Sequence, residues 1–300
     1  MPRLIATPNA LDRLVATISA QRASAFPHPR CCMLSPRSSA FLLACVCTAR
    51  IAGAQNAPTQ QQLDEISARG RALAGYQHAA WTASMQLFAT NPDPYRVERY
   101  VAYHADSGWV VAFGRLSTER DTFYVSNIAI PAAVNGQRVD TQYEFETFAQ
   151  PMPDVDFLVR AARAMDVATI TWGLTTRPYS AAAIPDENGN WFVYLTPSAD
   201  IASVWPLGDD MRYRVSADGQ RVLETRRMHA GMVAPGRDGA QLTSRRKALH
   251  DMPEDSDVFH MLVNHRSASD VVVTSKYQYL VSPDGSIRLV QGKETMVGAR

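Results

Sequence analysis

Four histidines, His229, His250, His260 and His265, lie in one stretch of the chain, and beyond residue 54 only His78 and His104 lie elsewhere. Arg226-Arg227-Met228-His229 closes a run with strand character, and His250-Asp251 stands before the acidic segment Glu254-Asp255-Ser256-Asp257. Neutral imidazoles and ionised carboxylates from separate segments can hold a divalent metal or move protons near neutral pH. The candidate chemistry is therefore a metal-assisted or acid/base hydrolase using His229, His250 and Asp257, with His260 as fourth ligand or proton donor. A divalent metal belongs to that alternative alone, and no other cofactor is expected.

The same residues have a plainer account. Asp255, Ser256 and Asp257 suit the start of a helix, Arg226 and Arg227 suit a solvated strand end, and histidines occur singly on surfaces and in satisfied cores. Closeness in sequence does not bring side chains within bonding reach. No complete catalytic motif supports the enzyme. Gly-x-Ser-x-Gly, Gly-x-Gly-x-x-Gly, Gly-x-x-x-x-Gly-Lys-Ser/Thr and His-Glu-x-x-His are all absent from the chain. Ser244-Arg245-Arg246-Lys247 has the Ser-x-x-Lys spacing, but no Lys-Thr-Gly follows it. Asp186-Glu187-Asn188-Gly189-Asn190 is dense in oxygen ligands, yet it lacks the alternating order and distal glutamate of a calcium loop and is assigned to a hairpin turn. Trp109, Phe113, Tyr124, Trp191, Tyr194 and Trp205 could line an apolar cleft, but aromatics on strands usually fill a core. The leading expectation is a noncatalytic protein that binds a partner protein or small ligand through a sheet face or an aromatic surface.

The elements that must position these residues follow from periodicity. Leu63, Ile66, Gly70, Leu73, Gln77, Ala80, Met85 and Phe88 recur mainly at three- and four-residue spacing, which predicts a helix over 59–88 with Thr59 as N-cap. Asn91-Pro92-Asp93-Pro94 ends it, since proline lacks the amide donor. From Arg99 the period becomes two. Arg99 to Gly114 reads as a hairpin turning at Asp106-Ser107-Gly108, with a third strand from Thr122 to Ile130. A second helix is expected over 154–168, capped by Asp154 or Asp156, with Leu158, Ala162 and Met165 on its inner face. Hairpins return at Trp191 to Leu195, at Met211 to Arg227 and at Tyr277 to Val290, the last two turning through Asp-Gly pairs. The third helix is expected over 256–265, capped by Asp255 or Ser256, with Val258, Phe259, Leu262 and Val263 inward. Tyr-x-Val-Ser-x-Asp-Gly occurs twice, at Tyr213 and at Tyr279, a resemblance that hairpin chemistry alone produces. The fold class is α+β: antiparallel hairpins and a meander packed with about three helices, after an N-terminal signal segment.

Charge and cysteine usage divide the chain near residue 54. Before it stand six arginines and one acid, Asp12, a net charge of +5; with +1 for the whole chain, the remainder carries −4. A body of that charge has no basic excess for phosphate backbones, so nucleic-acid binding is not expected. All four cysteines, Cys31, Cys32, Cys45 and Cys47, also precede residue 54, which excludes disulfides and thiolate chemistry downstream.

From Met33 the order is a short basic region, an apolar run from Ala40 to Cys47 and a small-x-small site, the pattern of a secretory signal cleaved after Ala54. The apolar run begins too far from Met1 for an ordinary signal, so Met33 is read as the true start and residues 1–32 as a mis-assigned extension. Leu42-Leu43-Ala44-Cys45 offers a second route, lipidation at Cys45. Residues 1–54 are thus expected to be an export signal and 55–300 a single α+β domain in the periplasm or outside the cell. No transmembrane span is expected in the mature chain. Only three lysines, Lys247, Lys276 and Lys293, among 30 basic residues point to a GC-rich bacterial source.

Overall fold

Thr59 closes the first helix with a reciprocal cap: Gln62 N donates to Thr59 Oγ1 at 3.3 Å, and Thr59 N donates to Gln62 Oε1 at 2.9 Å. The computed structural model describes residues 57–134, 137–173, 175, 177–198, 205–233, 246–264 and 268–292. The expected export segment, residues 234–245 and His265 lie outside the described residues.

Helix α1 (Gln60–Phe88) ends where expected, with Asn91 in the left-handed region just before Pro92. Its buried stripe runs Leu63, Ile66, Gly70, Leu73, Gln77, Ala80, as anticipated, then continues through Ala83 and Leu87. Met85 and Phe88 are instead exposed, because one turn past Ala80 the buried phase falls on 83 and 87.

Strands β1 (Arg99–Ala105), β2 (Gly108–Leu116), β3 (Phe123–Val134) and β4 (Gln137–Asp154) form an antiparallel meander in chain order. β4 was missing from the sequence reading because Pro151 and Pro153 look like breakers. It is an edge strand, where a missing amide breaks no second ladder. On its open side Gln86 of α1 acts as a substitute partner: Tyr143 N donates to Gln86 Oε1 and Gln86 Nε2 donates to Thr141 O, each at 3.0 Å.

Helix α2 (Phe157–Trp172) starts three residues later than expected. Asp154 Oδ1 accepts from Asp156 N at 3.2 Å and Val159 N at 3.1 Å, so Asp154 serves the helix end while Asp156 makes no side-chain cap bond. Leu158, Ala162 and Met165 are buried as anticipated. A second antiparallel sheet follows in the order β5 (Tyr179–Pro185), β6 (Trp191–Pro197), β8 (Met211–Val215), β9 (Val222–Arg227). The short pair β7 (Leu207–Gly208) and β10 (Met232–Val233) stands beside it. Asp186 Oδ1 accepts from Asn188 N and Asn190 N at 2.9 and 2.8 Å, the hairpin turn rather than a calcium loop.

Helix α3 (Asp255–Val263) interrupts the third sheet, following β11 (Arg246–Lys247) and preceding β12 (Asp270–Val273), β13 (Tyr277–Val281) and β14 (Ile287–Gly292); the sheet is antiparallel except for the β11–β12 pair. The fold is α+β with three described helices and largely antiparallel sheets, as the sequence indicated. The N-cap of α3 is Glu254, so Asp255 and Ser256 belong to the helix and do not cap it. Val258 and Phe259 are fully buried, while Leu262 and Val263 pack partly buried against the core.

Both Tyr-x-Val-Ser-x-Asp-Gly segments form the last hairpin turn of their sheet. In both, the glycine N donates to the serine carbonyl at 2.8 Å. Gly219 abuts α2 at Arg163 and Gly285 abuts α3 at Val258, so each turn docks on the helix that precedes its own hairpin.

Helix α1 is the shared spine. Leu63 and Ile66 pack with Val258, Met261, Val272, Tyr279 and Ile287, and Leu73, Tyr76, Ala80 and Leu87 pack with Val111, Phe113, Tyr194 and Phe259. Phe113, Trp191, Tyr194 and Trp205 are buried in the core, leaving Trp109 and Tyr124 partly buried, so the aromatic set is packing rather than a cleft. Where α1 crosses α3, Gly70 is required by contact: a Cβ there would lie 2.5 Å from both Asp255 O and Val258 Cβ. Gly70→Ala is expected to push α3 off α1 and cost about 1–3 kcal/mol, as overpacking does. Urea unfolding of that variant would show an unchanged midpoint if the crossing were loose.

Candidate functional site

The acidic start of α3 is buried. Glu254, Asp255, Ser256 and Asp257 are each no more than 2% exposed, a placement that ionisable groups tolerate only when paired. Their partners come from four other segments. Arg226 of β9 grips Glu254 with two bonds, Nε to Oε2 at 2.9 Å and Nη2 to Oε1 at 2.7 Å. Asp255 accepts from Arg69 Nε of α1 at 3.0 Å, from Arg212 Nη1 of β8 at 2.6 Å and from Tyr194 OH of β6 at 2.8 Å. Asp257 Oδ2 accepts from Glu254 N at 2.8 Å, and its Oδ1 lies 3.2 Å from His229 Nε2.

His229 follows β9 and faces a fourth carboxylate, Asp210. The turn before β8 delivers it: Gly208 and Asp209 take consecutive positive φ values of 87° and 56°. A side chain at 208 would strike the Gly231 carbonyl, so only glycine fits there. Met228 N then donates to Asp210 O at 3.0 Å, which sets His229 Nδ1 at 2.7 Å from Asp210 Oδ1.

His229 therefore bridges two carboxylates through its two ring nitrogens. Burial pulls its pKa down, but the charges and hydrogen bonds of Asp210 and Asp257 outweigh burial and push it up to about 10. It is an imidazolium at neutral pH. Asp210, wholly buried, is raised by burial yet ends below its ordinary value because His229, and after it His260 and Ser256, favour the carboxylate. Ser256 Oγ lies 3.4 Å from His229 Nδ1, the nitrogen that already serves Asp210, and 3.5 Å from Met228 Sδ. A nucleophile–base pair needs the hydroxyl and the carboxylate on opposite nitrogens, so Ser256 is not activated here.

Of the four residues singled out by sequence, His229 and Asp257 meet directly. His260 is fully buried on α3 with Nε2 3.9 Å from Asp210 Oδ2, the far oxygen of the same carboxylate. His250 stands apart and partly exposed. Its Nδ1 lies 2.9 Å from Glu254 Oε1 without hydrogen-bond alignment, and burial together with Arg226 and Arg212 holds its pKa below the ordinary value. Burial pushes Glu254 up to about 7 despite the bidentate guanidinium. Among the described residues no group of three or more His, Cys, Asp or Glu side chains is placed to hold a metal ion.

No protein-family model matches this chain, and neither curated proteins nor solved structures yield a match. The site is read from its own geometry.

Residue type and spacing did not single out Asp210, Arg69, Arg212, Arg226, Tyr194, Glu254 or Asp255 as site residues. Arg226, expected as a solvated strand end, is the bidentate partner of Glu254; Arg227 is half-exposed and reaches Asp209 at 3.3 Å. One signal was present: four consecutive polar residues at a helix start exceed what a cap requires. The arrangement joins α1, the second sheet and α3 through four cations, Arg69, Arg212, Arg226 and His229, and the carboxyl groups of Asp210, Glu254, Asp255 and Asp257. With all four carboxyls ionised, the charges balance.

Proposed function

We propose that this chain is an exported bacterial protein, periplasmic or secreted, that acts as a noncatalytic binder of a partner protein or small ligand. The observation that carries the reading is that both ring nitrogens of His229 face buried carboxylates, Asp210 at 2.7 Å and Asp257 at 3.2 Å, an arrangement that favours the imidazolium. An imidazolium with both N–H groups spent on buried carboxylates can neither take up a proton as a general base nor ligate a metal. The histidine–aspartate cluster then holds three parts of the fold together, and its chemistry is internal. The acid/base hydrolase retains one favouring observation, the partly exposed His250 beside a Glu254 carboxyl that titrates near 7. Against it, both Glu254 oxygens are engaged by Arg226.

Export rests on the sequence: the charge reversal, the confinement of all cysteines before residue 54, and the basic, apolar, small-x-small order from Met33. Among the described residues no helix is long and apolar enough to cross a membrane. N-terminal sequencing of the protein purified from its native compartment is expected to begin at Gln55. A product retained in the cytoplasm with residues 33–54 intact would contradict export, and a lipidated Cys45 would move the protein to a membrane anchor.

A further inference from the structure

We propose that Arg69 and Arg212 form a binding site for a small ligand bearing an oxyanion, a carboxylate or phosphate group. The inference rests on the binding role proposed above and gives that role a ligand class. One carboxylate, Asp255, holds both guanidiniums: Oδ1 takes Arg69 Nε, and Oδ2 takes Arg212 Nη1 together with Tyr194 OH. Both oxygens are therefore spent, and two positive charges are matched by one negative charge. Among the described residues no protein acceptor engages the Nη groups of Arg69 or the remaining N–H groups of Arg212. The side chains keep 27% and 12% of their surface open to solvent.

The pair is also fixed in place. Asp255 and Tyr194 are fully buried, and both guanidiniums lie against one ring, Phe192, with Cζ atoms 5.7 and 5.1 Å from its centroid. Held forks of this kind match the paired oxygens of carboxylate and phosphate, and the ordering entropy is already spent before a ligand arrives. Other nearby arginines are occupied differently: Arg226 is matched by Glu254, Arg214 by Asp186 and Arg227 by Asp209. Arg69 and Arg212 thus share one carboxylate where each of these other arginines has its own, in a body whose net charge is −4. That overall charge favours a small anion over a polyanion.

The test titrates the mature chain, 15N-labelled, with inorganic phosphate and separately with citrate, at constant ionic strength set by chloride. Saturable shifts of the Arg69 and Arg212 Nε–H resonances at millimolar concentration are expected for at least one probe. Saturation by both assigns the shared oxyanion chemistry, and by citrate alone the carboxylate. Arg69→Gln should weaken binding roughly tenfold, the loss of a charge-assisted pair. Arg115→Gln, which removes a guanidinium stacked on Tyr124 elsewhere, should leave it unchanged. Arg69→Lys, with its charge kept and its fork lost, should fall between; near-UV circular dichroism confirms that each variant is folded. A linear response, or equal weakening in Arg69→Gln and Arg115→Gln, means an adventitious ion only and overturns the proposal. Neither result touches the role of His229 or the export of the chain, which are measured separately.

Discussion

His229→Ala is expected to lower the unfolding free energy by about 3–5 kcal/mol, the cost of removing one partner from a buried ion pair. The substitution leaves Asp210 and Asp257, both within 1% of full burial, facing each other without the imidazolium between them. Urea denaturation should show the loss as a lower midpoint with an unchanged slope. The pH dependence has a definite sign. The folded-state pKa of His229 is raised from 6.5 to about 10, so its contribution is complete below about 6.5 and is lost as pH rises through 10. Glu254, raised from 4.5 to about 7, acts in the same direction: its contribution is present below 4.5 and lost as pH rises through 7. Asp210 is lowered, so its contribution disappears as pH falls below the ordinary aspartate range. Stability should therefore decline in two steps as pH rises, one from 4.5 through about 7 and one from 6.5 through about 10, and the upper step should be missing from His229→Ala. An alkaline limb identical in the variant and the parent would show that the imidazolium is not there.

Asp255→Ala carries the second large effect, also about 3–5 kcal/mol, because it strands two guanidiniums and a buried phenol at once. Tyr194 is fully buried, and burial first, then the Asp255 charge, holds its hydroxyl well above its ordinary pKa; it stays a donor and loses its acceptor. The two arginines should not couple equally. Arg212, with 12% of its side chain exposed, is less screened than Arg69 at 27%, so a double-mutant cycle should give Asp255–Arg212 the larger interaction energy. Thermal unfolding of the four variants in each cycle measures it. Equal coupling, or a loss under about 1 kcal/mol for Asp255→Ala, would place the cluster in the class of solvated surface pairs.

Local rules made much of the fold legible. Thr59 with Gln62, the Asn91-Pro92 stop and the Asp-Gly turns act over a few residues, so their outcome is written in neighbouring letters. Even β4, which was not expected, carries a period of two: Val139, Thr141, Tyr143, Phe145 and Thr147 alternate. The candidate site was legible by residue type and illegible by partnership. His229 and Asp257 stood out because imidazoles and carboxylates were few and close in sequence. Arg69 meets Asp255 from 186 positions away and Arg212 from 43, separations that no spacing rule connects. Asp210 was overlooked because its role depends on a backbone turn with two successive positive φ values, which Gly208 suggests but does not aim. The excess of acids at the start of α3 was the readable trace of a buried cluster; a cap needs one such group, and three buried together demand cations.

The central claim is that His229 is a structural imidazolium, and the ring 15N resonances of His229 across pH 5 to 9 test it most directly. Both ring nitrogens are expected to remain protonated through that range, with resolved N–H protons at the bonds to Asp210 and Asp257 and a titration near 10. A neutral tautomer at pH 8, titrating near the ordinary histidine value, would contradict the account and return His229 to the list of working bases and metal ligands.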